Sequence, residues 1–134
     1  MEFLNKKILV IGLARSGMAA IKLLKKIGVN DITLSEMKEP KEEDKKILLD
    51  LGVVILNQDM SVFEGDFDLA IKNPGVPPIS PIVKRLEERN IPIITEIELA
   101  FEVSKPQHYI AITGTNGKTT TTTITYEIST KAFK

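Results

Sequence analysis

The chain contains no cysteine and no tryptophan, and its single histidine is His108. Without thiols it can form neither a disulfide nor a thiolate metal site. One imidazole argues against histidine-based catalysis within the chain. Net charge is missing too, since 18 basic residues balance 18 acidic ones. Neither a nucleic-acid-binding surface nor an acidic tail is indicated. Long apolar runs are also absent near the N-terminus. The stretch ILVI at residues 8–11 is too short for a signal sequence or a membrane span. These absences lead to the expectation of a soluble, cytoplasmic protein without a nucleic-acid or membrane partner.

What remains is 134 residues, 43% of them hydrophobic. That is about one domain's length with enough apolar side chains for a core. Residues 6–12, KKILVIG, form a β-branched apolar run ending in glycine, which predicts a buried strand. Residues 16–27 carry apolar positions at 20, 21, 23, 24 and 27, a helical face stopped by Gly28. The alternation continues. Strands are expected at 31–35, 53–56, 67–73, 91–95 and 109–113, and helices at 39–52, 80–90 and 96–104. Ser80 is the expected N-cap of the third helix, with Pro81 at its first position. Such alternation predicts an α/β fold, a Rossmann-like parallel sheet with helices on both faces.

Ligands of such sheets bind beyond the carboxyl ends of the strands. Three loops are expected there: 12–17, 73–78 and 114–118. GLARSG at 12–17 follows the first strand but has Ala14 where the dinucleotide fingerprint G-x-G-x-x-G has its middle glycine. A methyl group there hinders close approach of a pyrophosphate, which disfavours a complete NAD site. An acid follows the second strand as Glu36, after Ser35. The plain alternative is a tight strand-to-helix turn with a surface glutamate. KNPGVPP at 72–78 is either a rigid connection, with Pro74 fixing φ and Gly75 free to turn, or a ligand-facing edge.

GTNGKT at 114–119 is a shortened phosphate loop. The usual pattern G-x-x-x-x-G-K-[ST] would start at residue 112, which is isoleucine. Backbone N–H groups of 115–118 can still curl around phosphate oxygens. Lys118 supplies a point charge and the Thr119 hydroxyl is placed for Mg²⁺. The Thr-rich segment after it is a poor helix former, because branched side chains lose χ1 freedom, so a helix there is expected to need tertiary contacts. Only 21 residues run from Gly114 to Lys134, too few to build a nucleotide-hydrolysing domain.

AITGTNGKTT resembles the ATP loop shared by the Mur ligases and folylpolyglutamate synthetases. VIGLARSG, IKNPGVP and TEIELAF, in that order before it, resemble the D-glutamate-adding branch of the Mur ligase family across residues 6–126. The resemblance implies residues 1–106 as a Rossmann-like domain for the UDP part of the substrate. Residues 107–134 would be the first strand, phosphate loop and helix of a truncated ATP-binding central domain. Arg15, Ser16, Ser35, Glu36, Asn73, Pro74 and Gly75 become candidates for the uridine diphosphate part. The family's acid is usually an aspartate at the position of Ser35, so either Ser35 or Glu36 takes that place. Gly114, Thr115, Asn116, Gly117, Lys118, Thr119 and Thr120 become the ATP loop, with Lys118 on the phosphates and Thr119 near Mg²⁺.

The implied reaction is a two-step amide ligation. ATP phosphorylates the terminal carboxylate of UDP-N-acetylmuramoyl-L-alanine, and the amine of D-glutamate then displaces phosphate. The family's carbamylated lysine, glutamate and histidine lie later in the central domain and have no counterpart here; His108 is expected as a strand-edge residue. The chain alone is therefore expected to bind the uridine part at most, and to self-associate through its truncated C-terminal segment. Two other readings stand beside this one. A stand-alone dinucleotide-binding or regulatory Rossmann module is opposed by Ala14 and the phosphate loop. A folate-glutamylating relative would carry its loop near the N-terminus.

Overall fold

The computed structural model describes residues 3–57, 65–105 and 108–132. In chain order the elements are β1 (Ile8–Ile11), α1 (Ala14–Lys26), β2 (Ile32–Glu36), α2 (Glu42–Asp50), β3 (Val54–Asn57) and β4 (Leu69–Lys72). They continue with α3 (Pro81–Glu88), β5 (Ile93–Thr95), α4 (Glu96–Ser104) and α5 (Lys118–Ala132). Every strand pairing is parallel, in the order β3-β2-β1-β4-β5. The expected Rossmann-like sheet is present.

β1 is central, and all four of its residues are buried. A parallel strand covered on both faces reads as a continuous apolar run, which is why ILVI shows no alternation. Its odd and even positions feed two cores. Ile8 and Val10 join Ile21 and Leu24 of α1, Leu34, Leu48, Leu69, Ile71 and Leu99 of α4. Leu9 and Ile11 join Ala70 and the α3 residues Ile82, Val83 and Leu86 on the opposite face. Helices thus cover both faces of the sheet, and strand period 2 assigns each to its side.

The helix ends follow local chemistry. α1 ends in Lys25 and Lys26, favourable to the negative end of its dipole, and Gly28 takes a φ of +94° beyond it. α2 opens with Glu42, Glu43 and Asp44, the complementary arrangement at a positive end. α4 opens with a capping box. The Glu98 N–H donates to Thr95 Oγ1 at 3.3 Å, and the Thr95 N–H donates to Glu98 Oε2 at 2.6 Å. The Thr95 hydroxyl also donates to Glu98 Oε2, at 2.9 Å, and the two bonds to the carboxylate, first the backbone one and then that of the hydroxyl, hold the Glu98 carboxyl below its ordinary value.

Two expectations need correction. Residues 109–113 are not a sixth strand; they lie outside regular structure, with Tyr109 72% and Ile110 70% exposed. A strand exists only with a neighbour to bond, and β5 pairs with β4 alone. His108 is exposed but therefore borders no strand. Ser80 is the N-cap with Pro81 in the first turn, as expected, although the serine hydroxyl makes no capping bond. Finally, α5 is helical with no buried residue. The hydroxyls of Thr122 and Thr123 donate to the carbonyls of Lys118 and Thr119, at 2.8 and 2.9 Å, so these threonines bond back within the helix.

Candidate functional site

The strand order reverses at β1, with β2 and β3 to one side and β4 and β5 to the other. Crevices outside the carboxyl ends of strands at such a point receive ligands in open α/β sheets. Two of the three predicted loops meet there. Ile11 of β1 is paired with Lys72 of β4, so the turns at 12–17 and 73–78 emerge side by side.

Asn73 joins them. Its N–H donates to the Ile11 carbonyl at 3.0 Å, and its Nδ2 donates to Ser16 Oγ at 2.6 Å. Its Oδ1 accepts from the Gly75 N–H at 2.9 Å. Lys72 adds a clamp, its Nζ donating to the Val76 carbonyl at 3.0 Å. Gly12 makes this closeness possible. Its φ is +85°, and a Cβ there would stand 3.2 Å from both Asn73 Cβ and Val76 Cγ2. Gly17 has a different reason: a Cβ on it would lie 2.2 Å from the Gly12 carbonyl oxygen. The first turn of α1 rests directly on the backbone that leaves β1, the close helix–strand packing of a glycine-rich turn.

The acid after β2 behaves unexpectedly. Ser35 and Glu36 are neighbours in a strand and point to opposite faces. Ser35 is wholly buried, and its Oγ has no hydrogen-bond partner. Glu36 is half-buried and reaches the glycine turn: Oε2 accepts from the Leu13 N–H at 2.6 Å and Oε1 from the Met37 N–H at 2.9 Å. Pro74, Gly75 and Arg15 are exposed at the rim. A hollow of about 470 Å³ beside the turn is lined by Leu13, Ala14, Arg15, Met18, Lys41 and Asp44. A larger open cleft of about 880 Å³ lies beyond β2 and β3, between Met37, Pro40, Asn57, Pro77 and Ser80.

No strand of the described sheet leads into the third loop, since residues 109–113 lie outside regular structure. Gly117 has a φ of +77°, and the loop leads directly into α5 at Lys118. The Lys118 ammonium donates to the carbonyl of Gly114, across the loop. Thr115, Asn116, Thr119 and Thr120 are all exposed. No group of three or more His, Cys, Asp or Glu side chains among the described residues could hold a metal ion.

No family model matches the chain. Among curated proteins, the UDP-N-acetylmuramoylalanine–D-glutamate ligase of Geobacillus sp. (strain WCH70) is 44% identical over 128 residues. The match covers 92% of this chain and 28% of that ligase. The ligase of the same name from Lactococcus lactis subsp. lactis (strain IL1403) is 46% identical over 131 residues, 95% of this chain and 28% of its own length. The chain is similar to these ligases over nearly the whole of its own length. Among solved structures, the UDP-N-acetylmuramate–alanine ligase of Thermotoga maritima superposes with a TM-score of 0.61 at 30% identity. It covers 94% of this chain and 29% of its own. The chain therefore spans a little over a quarter of the length of those relatives.

Of the residues singled out from sequence, Ser16, Asn73 and Gly75 are brought together by direct hydrogen bonds. Glu36 joins them through Leu13. Three features escaped the sequence reading: the Lys72 clamp, the seat of Glu36 on Leu13, and the Thr95–Glu98 capping box. Only the last had a local signal, the pattern T-x-x-E at 95–98. Among the described residues no helix is long and apolar enough to cross a membrane.

Proposed function

We propose that the chain is the N-terminal part of an ATP-dependent ligase that adds D-glutamate to UDP-N-acetylmuramoyl-L-alanine in peptidoglycan synthesis, a cytoplasmic reaction. The observation that carries this is the 44–46% identity, over nearly the whole chain, to ligases bearing that name. In this reading residues 1–106 hold the uridine nucleotide part of the substrate, and residues 107–134 open the ATP-binding domain.

The chain's own residues then divide the work. Ser16 and Asn73, already bonded to each other, offer a hydroxyl and an amide at the strand-order reversal. Pro74 and Gly75 form a rigid edge against a base or ribose, Arg15 stands at the rim, and Glu36 or Ser35 occupies the acidic place after β2. At the other loop, Gly114, Thr115, Asn116 and Gly117 supply backbone N–H groups to phosphate oxygens, with Thr120 just inside the helix that follows. Lys118 exchanges its bond to the Gly114 carbonyl for the phosphates and offsets charge there. The Thr119 hydroxyl fits one position of Mg²⁺. When bound, the ion would neutralise charge on the β- and γ-phosphates. The remaining ligands come from ATP, water or residues outside those described.

Calorimetric titration of the chain with UDP and with UDP-N-acetylmuramoyl-L-alanine tests the nucleotide role. Saturable binding of both is expected. No detectable binding at roughly millimolar ligand, a free energy of only about −4 kcal/mol, removes the role from this domain. Tight NADH binding without uridine binding would instead favour a dinucleotide module.

A further inference from the structure

The side-chain amide of Asn73 has an accepting end and a donating end, and the fold fixes which faces which. Its Oδ1 takes the Gly75 N–H at 2.9 Å, and a backbone N–H can only donate. A flipped amide would set two donors against each other at Gly75. The Nδ2 end is therefore held toward Ser16, 2.6 Å from its Oγ. Asn73 cannot drift, because its own N–H donates to the Ile11 carbonyl at 3.0 Å. The bond between the two turns thus runs one way. Ser16 Oγ accepts, and a hydroxyl that accepts still has one proton to give. Among the described residues nothing takes that proton, since the bond from Asn73 is the only one at Ser16 Oγ. Glu96 lines the same hollow of about 370 Å³ between α1 and α4, yet its buried Oε2 has no partner. Ser16 is half-buried in the first turn of α1, so its proton is available to a ligand that meets the turn.

We infer that Asn73 is a positioning residue: it sets the polarity of Ser16, making that hydroxyl a dedicated donor to a phosphate oxygen of the nucleotide. Ionised phosphate oxygens only accept. A serine whose proton turned inward would present them with a lone pair, and Asn73 removes that option before the ligand arrives. Bonds to a charged acceptor are the stronger kind, so the direction of one hydroxyl carries weight. That the acceptor is a nucleotide diphosphate rests on the uridine reading above; the direction of the bond belongs to the free chain.

The test is a double-mutant cycle on the full chain, read by calorimetric titration with UDP and with inorganic pyrophosphate. Asn73→Asp keeps an acceptor for Gly75 but replaces the donor by a second acceptor, which turns the Ser16 proton inward. Ser16→Ala is expected to lower UDP affinity about tenfold in the parent. In the Asn73→Asp background the same change is expected to cost less than about twofold. Repulsion by the new carboxylate is present with and without the serine hydroxyl, so it cancels in this comparison, as does a merely structural loss. Asn73→Ala frees the hydroxyl without reversing it, and an intermediate loss of about threefold is expected there; this variant carries the test if Asn73→Asp does not fold. Equal losses from Ser16→Ala in every background overturn the inference, as does UDP binding indifferent to Ser16→Ala in the parent. If pyrophosphate binds with this dependence and UDP binds no better, the uridine reading fails and the role of Asn73 stands. A parent chain that binds neither overturns both.

Discussion

The contact of α1 on the end of β1 can be tested with two glycines that carry opposite constraints. At Gly17 the backbone φ is ordinary, but an added Cβ would lie 2.2 Å from the Gly12 carbonyl oxygen and 3.1 Å from its carbon. The obstacle is backbone, not the end of a flexible side chain, so α1 must withdraw by about 1 Å to reach van der Waals distance. The same helix carries Ala20, Ile21 and Leu24 into the core against Ile8 and Val10, so withdrawal loosens that contact as well. Overpacking of this kind costs about 3 kcal/mol. At Gly52 the reverse holds: φ is +65° and nothing lies within 4 Å of an added Cβ. There the cost is conformational alone, about 1 kcal/mol. Urea and thermal unfolding followed by circular dichroism should rank Gly17→Ala well below Gly52→Ala, with a loss of about 10 °C in Tm for the former. Gly17→Ala within about 0.5 kcal/mol of the parent would mean that α1 does not rest on Gly12, and the geometry of the first turn would have to be abandoned.

Four further outcomes are expected. Thr95→Ala removes one half of the α4 capping box and lowers stability by about 1 kcal/mol in urea unfolding. Because the Glu98 carboxyl is held below its ordinary value in the folded chain, its contribution is complete above the unfolded pKa of about 4.3 and is lost as pH falls through the lower folded value; the stability gap between parent and Glu98→Gln should therefore close as unfolding is repeated from pH 7 down to about pH 3, and a constant gap would refute it. Asn73→Ala breaks the bonds to Ser16 Oγ and the Gly75 N–H, costs about 1–2 kcal/mol of stability and weakens UDP in the calorimeter, whereas unchanged affinity would take Asn73 out of the site. Lys118→Ala should leave Tm and UDP affinity unchanged, since Lys118 is exposed at the start of α5, a helix with no buried residue; a drop in either would join the two regions.

The alternation of strands and helices was legible because each strand has few neighbours to choose from. Ile8–Ile11 is apolar at every position, and such a run can only be buried on both faces. The helix stop at Gly28 and the proline opening α3 are likewise local events, settled within a few residues. The motifs at 12–17, 72–78 and 114–119 were legible for the same reason, since turn chemistry is written in glycine, proline and asparagine.

What tertiary structure decided was everything requiring a partner distant in the chain. Residues 109–113 have the composition of a strand, but a strand needs a free sheet edge in reach, and composition does not report one. Asn73 and Ser16 lie 57 residues apart, and only the pairing of β1 with β4 brings them within 2.6 Å. The side on which Glu36 emerges follows from period 2, but the N–H it finds there, on Leu13, exists only because α1 is packed against the end of β1. The sequence by itself determined the kind of sheet, the family resemblance and the three turns. Folding determined which two of those turns lie side by side, because hydrogen bonds and packing act through space and the order of residues does not.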